Sequence, residues 1–349
     1  MNNGMYEGDR HSNWLMVDGR WSGMGGIGRF SDEVLKRLSS TVVLKGGPKP
    51  TSPLGGIWGG WCVQRIRPKI FFTPGFNPAV GANVANLCVI HDLIHLRFPR
   101  EQRTVKTLYY ENIIAPAIRK AGLVLTVSKF SRGEIAEWLH FDPERIAVAY
   151  NGVGPEFCPE GNQYDLGFPY ALYVGNQRPH KNVVGLLNAI ARLRHASDLH
   201  LVLLGSPTSE TKRAIEDLLI RSRVHFLKHV SERDLPALYR GAQVCVLPSL
   251  YEGFGLPVIE AMACGTPVAA SGRTSIPEIA GNAAVFFNPE DIDEMADSID
   301  RSVSDSSLRH SLRCKGLERS QEFAWNDTAQ IVQNTIDSLH RQLCQRSQP

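Results

Sequence analysis

No run in this 349-residue chain approaches the roughly 18 consecutive apolar residues that a membrane-spanning helix needs. The stretch Met1–Asn13 lacks the apolar core of a signal peptide, so nothing in it argues for secretion. The seven cysteines include no C-x-x-C pair, and the count is odd. A disulfide framework and a structural zinc site are therefore not expected, and reduced thiols are the default. Internal repeats and low-complexity tracts are missing. Basic residues form no continuous block and are not interleaved with stacking aromatics, which argues against a nucleic-acid partner.

What remains is an ordinary globular composition, 43% apolar and 21% charged. At about 100–200 residues per domain, the length suggests two domains. The net charge of +3 conceals an asymmetry. Residues 1–150 carry 19 Lys and Arg against 12 Asp and Glu, and residues 61–132 carry 11 against 3. Such a surface suits an anionic lipid or a diphosphate-bearing acceptor, although scattered charges are more often a solvated face.

Short apolar runs alternate with amphipathic stretches, the pattern of an α/β chain with parallel sheets. Strands are expected at Trp14–Val17, at a run ending Val43-Leu44-Lys45, and at Ile70–Phe72, Leu87–Ile90, Val124–Val127 and Ile146–Ala149. Ser128 is placed to cap a helix through Leu139. A loop rich in Gly, Pro and Asn, Asn151–Pro169, reads as the linker. A second series of strands and helices runs from Ala171 to Phe286, and Trp325–Leu343 has helical apolar spacing. The expected domains are 1–165, 166–325 and a terminal helix, 326–349, that packs back on the first. Two doubly wound sheets are expected to offer a cleft for ligand.

Four motifs point elsewhere. Gly23, Gly25 and Gly28 satisfy G-x-G-x-x-G, which suggests an NAD-dependent oxidoreductase. That reading lacks the acidic residue at the end of the next strand, where Lys45 stands. His91 and His95 lie four apart, but an apolar strand leads into them and Pro99 follows, so no zinc helix is expected. Asp291 and Asp293 form a D-x-D in a charged stretch and read as surface residues. Gly205-Ser206-Pro207 follows an expected strand but lacks the G-x-S-x-G pattern of a nucleophile elbow.

The informative segment is Ser249-Leu-Tyr-Glu-Gly-Phe-Gly-Leu-Pro-Val-Ile-Glu260. Gly253 and Gly255 allow a tight turn after a strand, and Pro257 suits the first turn of a helix. Amides from Gly253, Phe254, Gly255 and Leu256 would face an anion or sugar hydroxyls at a helix N-terminus. Glu252 and Glu260 flank the turn, which a simple helix cap does not require.

This segment resembles the E-x7-E signature of the retaining glycosyltransferases of family 4, which have the GT-B fold: α/β, two Rossmann-like doubly wound domains. Tyr173-Val-Gly-Asn-Gln-Arg-Pro-His-Lys-Asn182 is similar to the family's donor-phosphate segment. Gly26-Ile-Gly-Arg-Phe30, Val89-Ile-His-Asp92, Thr126–Ser131, Asn151–Val153 and Phe323–Trp325 fit in the same order. The resemblance implies transfer of a hexose from a nucleotide-sugar to an acceptor hydroxyl with the anomeric configuration retained. It implies no cofactor and no metal.

Lys181, and Arg178 from a shifted position, would meet the diphosphate. Glu260 would bind the ribose hydroxyls, and Glu252 with the amides of 253–256 the sugar. Val230 and Ser231 would flank the base. Gly26 would approach the diphosphate or acceptor, and His91 the sugar, with Asp92 orienting it. No enzyme base is named, because an internal-return path lets the leaving phosphate help deprotonate the acceptor. The sequence resembles bacterial mannosyltransferases of O-antigen or capsule assembly. GDP-mannose is the expected donor and a polyprenyl-diphosphate-linked glycan the expected acceptor. The expected location is cytoplasmic, peripheral at the inner face of the cytoplasmic membrane. A UDP-sugar or a soluble acceptor, and a silent GT-B scaffold, are the alternatives.

Overall fold

A computed structural model describes residues 6–7, 14–39, 42–98 and 103–346. The chain forms two compact units. One holds the residues up to Gly152 and those from Trp325 onward; the other is Val153–Ala324.

In the first unit the strands are β1 (Tyr6–Glu7), β2 (Leu15–Asp18), β3 (Val42–Leu44), β4 (Ile70–Thr73), β5 (Ala85–Cys88), β6 (Val124–Thr126) and β7 (Ile146–Val148). The sheet order is β1-β3-β2-β4-β5, with β1 antiparallel at the edge and the rest parallel. The parallel pair β6–β7 joins past β5 through a bridge between Val89 and Leu125. The central strands β2, β4 and β5 are buried along their whole length. Unbroken apolar runs of this kind fit a parallel sheet covered on both faces.

The second unit repeats the plan with β8 (Tyr170–Tyr173), β9 (His200–Leu204), β10 (Val224–Leu227), β11 (Val244–Leu247), β12 (Val268–Ser271) and β13 (Ala284–Phe287). All are parallel, in the order β10-β9-β8-β11-β12-β13. Helix starts follow capping chemistry. Ser128, Thr208, Asp291 and Asp305 each accept a backbone N–H of the turn that they open. Asp291 of the D-x-D is thus a cap, and Asp293 is an exposed partner of Arg192. Asp300 is buried and accepts the N–H groups of Arg194, His195 and Ala196, pinning the turn before β9.

The boundary expected at residue 165 lies instead at Gly152. Residues 153–165 do not behave as a free linker. Val153 bridges to Ala324, Arg240 donates to the carbonyls of Asn162 and Cys158, Tyr164 N–H bonds Ala237 O, and Phe157 packs on Tyr239. Gly and Pro there shape a loop strapped to the second unit. Five helical stretches go beyond what the sequence pattern predicts: Pro53–Ile66, the short Ile94–Arg97, the run from Arg103 to Ala121, Ile276–Ala280 and Ser306–Ser320.

The helix Trp325–Arg346 belongs to the first unit. Trp325, Ala329, Val332, Ile336 and Leu339 recur at helical spacing and are all buried. Trp325 meets Phe30 edge-on, Trp14 stacks on His340, and Thr328 donates to Tyr150 O. Ile336→Ala removes methyl groups from a site with no solvent exposure. It should cost about 2–5 kcal/mol, read as a lower urea midpoint. An unchanged midpoint would mean that the helix does not support the core.

Candidate active site

In the second sheet the chain runs outward from β8 to β9 and β10, then crosses back to β11 and runs the other way. The loops after β8 and β11 therefore part at the carboxyl ends of neighbouring strands, the place where such sheets bind ligands. Both loops carry expected site residues, and the structure joins them. Leu250 N–H donates to His180 O at 2.7 Å. Lys181 Nζ donates to Glu252 Oε1 at 2.6 Å, and Ser249 Oγ donates to the same oxygen at 2.7 Å. Both charged side chains are largely shielded from water. That geometry holds an ammonium and a carboxylate in fixed positions.

The loop after β8 is built around Lys181. Tyr173 OH donates to Asn176 O at 2.6 Å, and burial raises its pKa far above the usual phenol value. Gln177 is tied to Ser206 O and to the Thr211 hydroxyl. Asn182 takes a left-handed φ of 53° and donates to Pro289 O, opening the helix Val183–Ala191 right after Lys181. Arg178 is exposed, and its guanidinium bonds no other described residue. Lys181 is thus fixed, and Arg178 is not.

The loop after β11 is held from behind. Ser275 Oγ lies 2.9 Å from Glu252 O and 3.1 Å from Phe254 O, and Thr274 Oγ1 accepts Glu252 N–H. Gly255 has φ of 103°, which favours glycine, and a Cβ there would lie 2.6 Å from Ile276 Cδ1, which would have to shift. Phe254 is buried against Phe323, which leaves its backbone as the part that can meet a ligand. The helix Leu256–Ala263 starts with Pro257 in its first turn and no side-chain cap. Its N-terminal end therefore keeps donor capacity and the positive end of the helix dipole.

Glu260 sits in that helix, 4% exposed, and Tyr239 OH donates to its Oε2 at 2.8 Å. Burial first, and the nearby Glu260 next, raise the Tyr239 pKa well above that of a free phenol, which keeps it a donor. Val230 and Ser231 follow β10, at the same end of the sheet but two strands from β8. The Ser231 hydroxyl is engaged with Asp234, so backbone is what this turn offers.

In the first unit, Gly26 lies exposed in the opening turn of the helix Gly25–Leu35, which has no side-chain cap. Gly28 is a packing glycine, since a Cβ would meet Trp21 O at 2.9 Å. Lys45, where the dinucleotide fingerprint requires an acid, pairs with Glu7. His91 is half-buried. Its Nε2–H donates to Pro74 O at 2.9 Å, and its ring meets Phe30 edge-on. This bond leaves Nδ1 as an acceptor. Burial pushes its pKa down to about 4, so the imidazole is neutral at physiological pH. Asp92 accepts Ile94 N–H and shapes the turn, so the Pro74 carbonyl, not Asp92, is the group seen to orient the ring. Ser249, Tyr239, Thr274 and Ser275 were not read from the sequence. Only Ser249, three residues before Glu252, gave any signal there.

Residues 159–319 match the model "Glycosyl transferases group 1", and residues 42–157 match "Glycosyltransferase Family 4". The chain is 32% identical over 287 residues to "O-antigen chain mannosyltransferase B" of Escherichia coli, covering 78% of this chain and 75% of that one. This chain is a family 4 glycosyltransferase of the GT-B fold. A "serotype-specific mannosyltransferase" of E. coli is 28% identical over 276 residues, 73% of this glycosyltransferase but only 34% of that longer chain. Among solved structures, the sucrose-phosphate synthase of Thermosynechococcus elongatus superposes with a TM-score of 0.73 at 20% identity, covering 95% and 99% of the two chains. That likeness bears on the fold.

The depressed pKa of His91 has a stability consequence. In the folded enzyme it lies near 4, against 6.5 for a free imidazole, so between these values the unfolded chain binds the proton more readily. The contribution is complete above pH 6.5 and is lost as pH falls toward 4. His91→Gln, which keeps an N–H for Pro74 O, should flatten the fall in melting temperature between neutral pH and about pH 5. Equal acid sensitivity of variant and wild type would contradict this.

Proposed function

We propose that this glycosyltransferase moves a mannosyl residue from GDP-mannose to an acceptor hydroxyl, with retention of configuration and without a metal or cofactor. The acceptor is a polyprenyl-diphosphate-linked glycan of cell-surface polysaccharide, met at the inner face of the cytoplasmic membrane. The Lys181–Glu252 bond at the carboxyl ends of β8 and β11 carries this reading. The mannosyltransferases among its relatives support mannose.

As the bond from sugar C1 to the diphosphate breaks, negative charge collects on the phosphate oxygens. Preorganised cations and helix N-termini lower the energy of that charge more than that of the intact donor. Lys181 would supply the cation, with Arg178 swinging in beside it, and the Leu256–Ala263 helix would supply amides. Glu252 would accept hydroxyls of the hexose with the amides of Gly253–Leu256. Glu260, steadied by Tyr239, would accept those of the ribose, and the backbone of Val230 and Ser231 would flank the base. From the first unit the resemblance assigns Gly26 and His91. An exposed amide suits an anion, and a neutral imidazole with Nδ1 accepting suits a sugar hydroxyl. The acceptor oxygen would form its bond to C1 on the face that the phosphate leaves, and its proton would pass to the departing phosphate oxygen.

The test is a panel of nucleotide-sugars scored by thermal protection and by release of nucleoside diphosphate. GDP-mannose should protect, and GDP should be released with EDTA present. Glu252→Gln should turn over at least about 100-fold more slowly. Preference for UDP-sugars, restoration of an EDTA-silenced enzyme by Mg²⁺ or Mn²⁺, or a fully active Gln variant would each overturn the corresponding part.

A further inference from the structure

The helix Pro53–Ile66 is packed the opposite way from an ordinary surface helix. Its buried face is mostly glycine: Gly55, Gly56, Gly59 and Gly60, with Cys62 and Val63. A Cβ at Gly60 would lie 1.8 Å from Val80 O, and one at Gly55 2.4 Å from Lys49 O, so the helix backbone lies directly on the loops beneath. Arg20, locked to buried Asp18, donates to Gly55 O and fastens it there. Trp58 and Ile66 flank the core, but three large apolar side chains point outward. Leu54 is 64% exposed and Ile57 55%; Trp61 is exposed too, stacked on Trp58. The Arg65 guanidinium lies 3.8 Å above the Trp61 ring.

A second helix approaches the start of this one. Asn77 donates to Pro50 O and Ser52 O at the start of Pro53–Ile66, and Tyr109 OH bonds Asn77 Oδ1. This brings in the end of the helix Arg103–Tyr109, where Val105 is 71% exposed and Leu108 51%. The charge is of one sign. No Asp or Glu occurs between Glu33 and Asp92, a stretch with seven Lys and Arg. Lys49, Arg65, Arg67, Lys69 and Lys106 are exposed. No helix among the described residues is long and apolar enough to cross a membrane.

We propose that this face, centred on Leu54, Ile57 and Trp61 and rimmed by Arg65 and Lys106, docks in the interface of an anionic bilayer. It rests on the proposed lipid-linked acceptor for its purpose, not for its geometry. Aliphatic and indole side chains enter the headgroup–acyl boundary, while flanking cations meet lipid phosphates. Trp with Arg above it suits this layer, because one end of the pair is apolar and the other is charged. A second copy of the chain is disfavoured as occupant, since it would set like charges face to face.

The test uses the full chain with phosphatidylcholine vesicles, with and without phosphatidylglycerol, read by co-sedimentation and by a blue shift of Trp fluorescence. Binding should require phosphatidylglycerol and weaken with salt. The double variant Leu54→Ser/Ile57→Ser alters exposed positions and should keep its melting temperature and its GDP release on a soluble acceptor. Its vesicle binding should fall by about tenfold or more. Arg65→Glu should weaken binding without the aliphatic change. Equal binding to neutral vesicles, wild-type binding by the double variant, or a dimer in light scattering that this variant breaks would overturn the proposal. GDP release without vesicle binding would sink this proposal and leave the function standing; vesicle binding without GDP release would do the reverse.

Discussion

A shielded ion pair between residues 71 positions apart, Lys181 and Glu252, is the point on which the second unit turns. Each charge is largely shielded from water there. Removing an ammonium or a carboxylate from water costs several kcal/mol unless a partner and further hydrogen bonds offset it. Ser249 adds such a bond, and the backbone contact from Leu250 to His180 sets the register of the two loops. The pair exists because β8 and β11 are neighbours while the chain leaves them in opposite directions. Sheet order thus decides which side chains meet, and the meeting supplies a cation and an acid at one fixed spot.

The local devices around the pair all spend conformational freedom on rigidity. Gly255 accepts a backbone geometry that favours glycine, and Ser275 grips two carbonyls of the same turn. Asn182 holds a left-handed conformation and reaches Pro289 O. Preorganisation of this kind is what electrostatic catalysis requires, because polar groups that must first reorient lose much of their effect. The first unit is put together differently. Its Gly-rich turn, its neutral His91 and its outward-facing apolar helix belong to a cationic half of the chain, whereas the second unit handles charge with a few fixed groups.

Much of this was legible in the sequence. Strands β8, β11 and β12 are buried from end to end, so their apolar runs stood out, and the E-x7-E spacing placed Glu252 and Glu260 on either side of a glycine turn. The partners of those acids were hidden. Tyr239 and Ser275 lie 21 and 15 positions from Glu260, and only the fold brings the first to its carboxylate and the second to the loop before it. The helix Pro53–Ile66 escaped because four glycines face inward while Leu54, Ile57 and Trp61 face outward, which blurs the usual periodicity. Ser306–Ser320 escaped because only Leu312, Gly316 and Ser320 in it are buried. The division falls inside the expected linker but at its start rather than at 165, because a Gly- and Pro-rich loop gave no sign of its bonds to Arg240.

The central claim is that Lys181 meets the donor's diphosphate. Calorimetric titration of GDP and of guanosine into wild type and Lys181→Met tests it most directly, with no need for acceptor or turnover. A charged hydrogen bond of ordinary strength predicts that GDP binds the variant about 10–100-fold more weakly, while guanosine, which has no phosphate, binds both equally. GDP binding of wild-type strength in a folded Lys181→Met variant would contradict the account.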